Sequence, residues 1–415
     1  MTALESAGAV IVGASLAGLR AAHTLRDEGY AGPLTIIGDE PTQPYDRPPL
    51  SKELLSGESE PADVALAVDE ELDATWLLGQ PAVRLDTERR MLRLADGTEV
   101  PYGGLILATG SGVRKLPAFD YAAPTVHVLR TMADALALRT ALSAPGGSGT
   151  RLLIVGCGFV GVEVASSARA LGARVTMVGL DAPLALAGQL VSEAATRLLI
   201  RGGVQVISGH TVTAARPADD AAHRVSLSDG SAVDADHVVV AIGSVPNVGW
   251  LAGSGARLAD GVVCDERLQV LGADGTSRDG IPLEGVVAAG DIAAWPNPTF
   301  GGLPMRVEHW SNAIEQGAAA ARTLLRGDQA APFSAVPSFW SDHFGIRLQS
   351  VGLPKLADRF EVVDGEVTDG SFAAAAYAGE HLVGGVAYGK PKPMVAIRIK
   401  LARNGVPLAA AEPAA

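Results

Sequence analysis

Near its start the chain reads Ala9-Val-Ile-Val-Gly13-Ala-Ser15-Leu-Ala-Gly18, and its middle repeats the pattern as Leu152-Leu-Ile-Val-Gly156-Cys-Gly158-Phe-Val-Gly161. In each copy an apolar run typical of a buried strand leads into a glycine-rich turn, after which apolar residues recur at helical spacing. The glycines permit a tight turn whose backbone N–H groups approach a pyrophosphate, and the following helix N-terminus favours its negative charge. Two such turns in this context predict that the chain binds two dinucleotides.

The similarity of the two copies continues beyond the turns. An apolar strand that ends in a small residue and glycine follows each, as Leu105-Ile-Leu-Ala-Thr-Gly110 and Val238-Val-Val-Ala-Ile-Gly243, which indicates a duplicated module. We therefore predict an α/β protein with two Rossmann-like dinucleotide-binding domains and a carboxy-terminal α+β domain. The predicted bounds are 1–116 with 243–330 for the first domain, 117–242 for the second, 331–407 for the third and 408–415 for a disordered tail.

Composition narrows the class of protein. The net charge of −13 over 415 residues argues against nucleic acid as a partner. The longest uncharged run, 238–256, contains Pro246 and several glycines, which suits a strand and loop rather than a membrane helix. Because the first residues also lack the basic start and apolar core of a signal peptide, we expect a cytoplasmic protein that does not enter a membrane.

The cysteines and histidines set limits on the chemistry. Cys157 and Cys264 are the two cysteines, and no C-x-x-C motif is present, which excludes a dithiol relay within the chain. The eight histidines are scattered, and none forms a cluster with metal-ligand spacing, so we predict no metal site.

A carboxylate marks the first turn as a nucleotide site. Asp39, followed by Glu40, comes just after the strand Leu34-Thr-Ile-Ile37, at the distance from Gly18 at which an acidic side chain reaches ribose hydroxyls. Further on, the segment 44–52 is stiffened by prolines and holds Arg47 and Lys52 at defined positions.

This segment carries a family resemblance. Together with five further motifs it resembles the FAD-dependent ferredoxin reductases of oxygenase systems, of the putidaredoxin reductase and rubredoxin reductase type, over nearly the whole chain. The five are Ala108-Thr-Gly110, Leu129-Arg130-Thr131, Gly290-Asp291, Arg306-Val-Glu308-His309-Trp310 and Phe339-Trp340-Ser341-Asp342. The resemblance implies a glutathione reductase-like arrangement of the two domains, FAD in the first and NAD(H) in the second.

The resemblance also implies roles for individual residues. It places Asp39 on the adenosine ribose, Arg47 near the pyrophosphate, Asp291 on the ribityl chain and Trp340 against the isoalloxazine. It places Lys52 near the flavin edge and Glu163, with Glu308 and His309, around the incoming nicotinamide, and Lys52 and Glu163 are the expected catalytic residues. The expected FAD contacts are Gly13, Ser15, Leu16, Ala17, Gly18, Asp39, Glu40, Arg47, Pro49, Lys52, Val83, Ala108, Thr109, Gly110, Arg130, Gly290, Asp291 and Trp340. The expected NAD contacts are Gly156, Gly158, Phe159, Val160, Gly161, Glu163, Asp181, Gly243, Glu308 and His309.

One position departs from the family pattern. The strand that follows the second turn ends at Gly179, where the family usually has the acidic residue that holds the NADH ribose, and Asp181 is the nearby acid. No lysine or arginine follows before Arg197, so nothing awaits a 2′-phosphate either. We expect NADH to be the donor, with weaker discrimination against NADPH than is usual.

The resulting functional prediction is hydride transfer from NADH to FAD, followed by single-electron transfer to a [2Fe–2S] ferredoxin that serves an oxygenase. A basic stretch, Lys390 to Arg403, is suited to steering an acidic ferredoxin. Two alternatives stay open: an NADH oxidase or quinone or nitro reductase acting on a small molecule, and a nicotinamide-sensing flavoprotein that signals by changing partners. The sequence leaves the choice between monomer and homodimer open.

Overall fold

The computed structural model describes residues 3–143, 149–218, 221–273 and 280–407. The predicted disordered tail, 408–415, lies outside the described residues. Eight α-helices occur among these residues: Ala3–Ala7, Leu16–Asp27, Glu53–Ser56, Met132–Ser143, Phe159–Ala170, Gln189–Arg201, Trp310–Arg326 and Lys392–Asn404. None of them is long and apolar enough to cross a bilayer.

The first glycine turn lies at the carboxyl end of a central strand. Its sheet has the order Gln269–Leu271, Pro282–Ala288, Gly104–Leu107, Ala9–Val12, Leu34–Ile37 and Thr75–Leu77. The central strand is parallel to both neighbours, and all of its residues are buried. The helix Leu16–Asp27 packs closely on Trp310–Arg326, where a side chain at Gly317 would meet the carbonyl of Ala17 at 2.4 Å.

The second glycine turn repeats this arrangement. Its sheet has the order Gln205–Ser208, Arg174–Gly179, Arg151–Val155, His237–Val240 and Val126–His127, and its strands pair in parallel. Two strands, Ser111–Val113 and Ser244–Pro246, form an antiparallel ribbon between the two modules. The domain boundaries that we predicted at 116/117 and 242/243 fall beside this ribbon, and they stay a prediction.

Three smaller sheets among the described residues, two antiparallel and one mixed, complete the two modules. One consists of Ala82–Asp86, Met91–Leu94 and Glu99–Pro101, and another of Val212–Arg216, His223–Leu227 and Ala232–Ala235. A third consists of Leu258–Ala259, Gly261–Val263, Ala293–Asn297 and Leu303–Arg306.

The carboxy-terminal part is a five-stranded antiparallel sheet with a helix on one face. Its order is Ser338–His343, Ile346–Gly352, His381–Tyr388, Ser371–Ala378 and Arg359–Glu366. Met394, Ile397 and Leu401 bury one side of the helix Lys392–Asn404, at the spacing of an amphipathic helix. The predicted fold class, two doubly wound modules and a terminal α+β unit, is confirmed.

Candidate functional site

The two glycine turns are built alike. Gly13 has φ +126° and Gly156 has φ +118°, in the region that disfavours other residues. A Cβ at these positions would lie 2.0 Å from the carbonyl oxygen of Ala108 and 2.1 Å from that of Ala241. Each turn therefore requires glycine for steric as well as conformational reasons.

The middle position of each turn faces open space. Ser15 caps the helix Leu16–Asp27 in an extended conformation without a side-chain hydrogen bond to the helix. Gly158 caps Phe159–Ala170, and a Cβ built on it would have no atom within 4 Å. Free N–H groups at a helix start and room in front of them suit a pyrophosphate, so the residues present fit the dinucleotides that the turns predict.

The first turn opens into a cavity of about 620 Å³, within the range of roughly 300–1,000 Å³ typical of cofactor sites. Its wall contains most of the residues that we predicted for FAD: Gly13, Ser15, Leu16, Ala17, Asp39, Glu40, Arg47, Ala108, Thr109, Gly110, Arg130, Gly290 and Asp291. Four residues predicted for NAD line the same cavity, namely Val160, Glu163, Glu308 and His309. One space thus meets both modules.

Other predicted residues lie outside this wall. From the FAD set these are Gly18, Pro49, Lys52, Val83 and Trp340, and from the NAD set they are Gly156, Gly158, Phe159, Gly161, Asp181 and Gly243. Trp340 stands behind Trp310, which does line the cavity, with the ring centroids 5.8 Å apart. The roles of all these residues remain predictions.

The two acids after the strand Leu34–Ile37 differ in their surroundings. Glu40 accepts hydrogen bonds from the Arg47 guanidinium at 2.7 Å and from the Tyr45 hydroxyl at 2.5 Å. Burial raises the pKa of Tyr45 to about 12, so this hydroxyl stays a donor. Asp39 is exposed at the cavity wall, and its carboxylate bonds to none of the described residues. Glu40 therefore positions Arg47, whereas Asp39 is available to a ligand.

Asp291 is a further carboxylate in the cavity wall. Asp291 pairs with Arg130 at 3.0 Å, yet burial outweighs this attraction and raises the pKa of the Asp291 carboxyl. The backbone N–H of Gly290 donates to Gln316 at 2.9 Å, and Arg306 donates to the Asp291 carbonyl oxygen at 2.9 Å. These contacts fix the turn on which Asp291 stands.

Glu163 lies where the three parts of the chain meet. It is 6% exposed, and it pairs with the Lys52 ammonium at 2.9 Å. The Ser51 hydroxyl donates to its other oxygen at 2.5 Å, and the Ser341 hydroxyl of the carboxy-terminal sheet donates as well. The predicted catalytic residues Lys52 and Glu163 are thus brought together, with two hydroxyl groups that sequence analysis had not assigned.

A chain of buried polar groups continues from Ser341. His343 Nε2 lies 2.7 Å from the Ser341 hydroxyl, and His343 Nδ1 lies 3.1 Å from the Tyr388 hydroxyl. Because Ser341 must donate to a carboxylate, it accepts from His343 Nε2–H, and neutral His343 in turn accepts from Tyr388. Burial lowers the pKa of His343 to about 3 and raises that of Tyr388, which keeps both groups neutral.

These buried histidines predict sensitivity to acid. Burial lowers the pKa from 6.5 to about 3 at His343 and to about 4 at His127 and His309, so between these values the unfolded chain binds more protons. Stability should therefore be full above pH ~6.5 and fall as the pH drops toward ~4. Melting temperatures measured across this range will check it. His343→Gln, which cannot take up a proton, should show a shallower fall, and parallel falls would contradict the assignment.

Glu308 and His309 line the same cavity as Glu163. Although burial opposes it, hydrogen bonds from Ser244 (2.6 Å) and Arg306 lower the pKa of Glu308 and keep it ionised. His309 Nδ1 is buried and has no hydrogen-bond partner among the described residues. An unsatisfied buried nitrogen beside a cavity fits a site that a ligand completes.

Aromatic rings connect His309 to the second glycine turn. The ring of Phe339 lies 4.9 Å from His309 and 4.7 Å from Phe159, the first residue of the helix after that turn. Sequence analysis missed several residues of this region, namely Tyr45, Ser51, Trp310, Gln316, Ser341 and His343. Tyr45, Ser51, Trp310 and Ser341 stand inside recognised motifs, whereas Gln316 and His343 lie outside them and carry no local signal.

Two known protein families and several characterised reductases are similar to this chain. Residues 8–317 match the pyridine nucleotide-disulphide oxidoreductase family, and residues 338–414 match the reductase C-terminal family. Rhodocoxin reductase of Rhodococcus erythropolis is 36% identical over 404 residues, which cover 96% of this chain and 90% of that protein. The ferredoxin–NAD(+) reductase component of the p-cumate 2,3-dioxygenase system of Pseudomonas putida is 35% identical, covering 94% and 92%.

Solved structures agree. The covalent putidaredoxin reductase–putidaredoxin complex matches with a TM-score of 0.85 and 29% identity, over 95% of this chain and 92% of the other. A ferredoxin reductase from Rhodopseudomonas palustris matches with a TM-score of 0.86 and 31% identity, over 97% and 96%. The chain thus resembles these reductases along nearly its full length.

Proposed function

Since the chain belongs to the pyridine nucleotide-disulphide oxidoreductase family, we propose that it is an NADH-dependent ferredoxin reductase, which passes electrons to a [2Fe–2S] ferredoxin serving an oxygenase. FAD bound in the cavity would supply the chemistry, because a flavin takes up two electrons together as hydride and releases them singly. The family match and the named relatives support FAD and NAD(H) as the cofactors.

The observation that carries this proposal is the shared cavity. Its wall begins at the first glycine turn, the proposed FAD site, and includes Val160 and Glu163 from the helix that follows the second turn. A flavin held in this cavity would therefore lie beside residues of the module proposed to hold the nicotinamide. Two bound dinucleotides in such contact serve hydride transfer, in which orientation and proximity lower the barrier.

Within this site we assign roles to the chain's own residues. Asp39 would bind the adenosine ribose, Arg47 and Arg130 would neutralise the diphosphate, and Lys52 would hold positive charge near the flavin edge. Glu163 keeps Lys52 in place through their 2.9 Å ion pair. Trp310 lines the cavity and Trp340 packs against it, so the two rings would limit the access of water on this side of the cavity.

We further propose that the first domain comprises 1–116 and 243–330, and the second 117–242. The ribbon of Ser111–Val113 with Ser244–Pro246 supports both crossing points. We place the reaction in the cytoplasm, since NADH is supplied there and both cysteines are free thiols.

Anaerobic titration of the purified protein with NADH tests the function. We expect the flavin spectrum to bleach at one NADH per flavin, and added [2Fe–2S] ferredoxin to become reduced while the flavin colour returns. Fast oxygen consumption without ferredoxin would favour the oxidase alternative. A reduced flavin that persists in complex with NAD⁺ and passes no electrons to ferredoxin would favour the sensor.

The helix Lys392–Asn404 is the proposed ferredoxin-docking surface. Two residues of the basic stretch Lys390 to Arg403 are already paired, Lys390 with Asp364 at 3.5 Å and Arg398 with Glu315 at 3.1 Å. Lys392, Lys400 and Arg403 are exposed and form no ion pair within the described part of the chain. Val395 and Ile399, 65% and 47% exposed, lie one helical turn apart on the same helix. Basic charge beside exposed apolar groups suits an acidic protein partner.

Charge reversal at this surface tests the docking proposal. Lys392→Glu and Lys400→Glu should each raise the KM for ferredoxin about three- to tenfold at low salt, and high salt should reduce the difference. Reduction of ferricyanide by NADH should not change. Arg216→Glu, an equal change of charge on an exposed strand of the second module, is the control. Equal losses with both acceptors, or an equal effect of Arg216→Glu, would contradict the assignment.

A further inference from the structure

The two modules are built in the same register at the point where a ribose carboxylate is expected. The first glycine of each turn donates its backbone N–H to a strand carbonyl, that of Ile37 at 2.8 Å in one module and that of Val178 at 2.7 Å in the other. The residue after each carbonyl, Gly38 in the first module and Gly179 in the second, is therefore equivalent. In the first module Asp39 is assigned to the ribose, and its position indicates which residue of the second module should face the ribose.

Both equivalent glycines are closed by a neighbouring side chain. A Cβ at Gly38 would lie 2.7 Å from the Cβ of Ala14, and a Cβ at Gly179 would lie 2.6 Å from Cys157 Sγ and 3.2 Å from its Cβ. Ala14 and Cys157 occupy the same place in the two turns, directly after the first glycine. In both modules a side chain at the strand-end position would therefore require the neighbouring turn residue to move.

The first module obtains its carboxylate from the residues that follow. Asp39 comes directly after Gly38 and lines the cavity, and Leu180 comes directly after Gly179. The loops diverge at this point, since the N–H of Gly79 donates to the Glu40 carbonyl at 3.0 Å, whereas that of Gly209 donates to the Leu180 carbonyl at 3.2 Å. By strand register Leu180 corresponds to Asp39, and by this hydrogen bond it corresponds to Glu40. In either comparison Leu180 stands where the first module has an acid.

We propose that the Cys157 side chain closes position 179 and that Leu180 is therefore the residue that sets discrimination between NADH and NADPH. The inference rests on the proposed function. Leu180 is 69% exposed and offers the ribose neither a hydrogen-bond acceptor nor a charge against a 2′-phosphate. Asp181, also exposed, is the one acid beside it, and no lysine or arginine occurs in 180–196. The wild-type protein should accordingly use both nucleotides, with a modest preference for NADH.

Introducing an acid at position 179 or at position 180 shows which of the two positions controls the choice between NADH and NADPH. Leu180→Asp should raise the ratio of kcat/KM for NADH to that for NADPH about 10- to 100-fold, as expected for charge-assisted bonds to ribose hydroxyls. Leu180→Asn, of similar size and uncharged, is the matched control and should move the ratio much less. Gly179→Glu should lower the melting temperature without a gain in the ratio, because the new side chain meets the thiol. Combining it with Cys157→Gly, which removes the obstruction, should restore the melting temperature.

The outcomes separate the inference from the function on which it rests. A gain from Gly179→Glu alone at normal stability, or no change with Leu180→Asp, would overturn the inference while the enzyme still turned over. No flavin reduction of the wild-type protein by either nucleotide would instead overturn the proposed function. The dissociation constants of NAD⁺ and NADP⁺, measured by calorimetry on the same variants, should change in the same ratio and so confirm that binding is responsible.

Discussion

Gly156→Ala is expected to abolish reduction by NADH, at least 100-fold in kcat/KM, while the protein keeps its yellow flavin. The new methyl group would lie 2.1 Å from the Ala241 carbonyl oxygen, and a φ of +118° is strained for alanine. The turn must therefore shift, and its N–H groups no longer meet the pyrophosphate. Stopped-flow measurement of flavin bleaching by NADH gives the rate, and chemical reduction by dithionite shows that the flavin itself remains competent.

The equivalent change in the first module supplies the matched experiment. At Gly13 an alanine methyl would lie 2.0 Å from the Ala108 carbonyl oxygen, so Gly13→Ala should yield protein that purifies without flavin. The two variants introduce the same group into the same local structure, and they should differ in which dinucleotide is lost. If Gly156→Ala lost its flavin, or if Gly13→Ala kept it, the assignment of the two turns would be wrong.

Glu163→Gln is expected to destabilise the protein by about 3–5 kcal/mol, because it leaves the Lys52 ammonium buried without its counter-charge. The side chains of Lys52 and Glu163 are only 12% and 7% exposed, so solvent cannot replace the lost partner. Lys52→Met should cost a similar amount for the converse reason. The double variant removes both charges and should regain most of the lost stability, as measured by urea unfolding with bound flavin monitored throughout.

The same cycle separates stability from catalysis. If Lys52 holds positive charge at the flavin edge, Lys52→Met should slow flavin reduction by NADH roughly 100-fold, and the double variant should remain as slow despite its recovered stability. Single-turnover kinetics at saturating NADH will measure this rate. A double variant that recovered both stability and rate would show that the pair is structural, and additive losses of stability would show that the two side chains do not interact.

The parts of the site that depend on local backbone could be predicted from the sequence. Gly13 and Gly156 are required by a turn whose residues are neighbours in the chain, and the order of strand, turn and helix decides the fold. The surroundings of Glu163 could not be predicted in the same way. Its hydroxyl donors, Ser51 and Ser341, are 112 and 178 residues away, and only the packed arrangement of all three parts brings them together.

The ribose position shows a second limit. The duplicated glycine turn and Asp39, the acid that follows the strand Leu34–Ile37, can both be identified from the sequence. The sequence alone could not reveal that the Cys157 side chain stands against Gly179, or that the strands pair so that Gly38 and Gly179 are equivalent. Register and side-chain volume, both tertiary properties, decide which residue faces the nucleotide.

The carboxylate of Glu163 contacts groups from the other two parts of the chain, and this restricts how the three parts can move relative to one another. The second module provides the carboxylate, the first module provides Lys52 and Ser51, and the terminal sheet provides Ser341. Any hinge rotation between these parts would separate the buried Glu163 carboxylate from the groups that donate to it. We therefore expect NADH to bind and leave without domain closure, through local shifts of exposed side chains such as Val160.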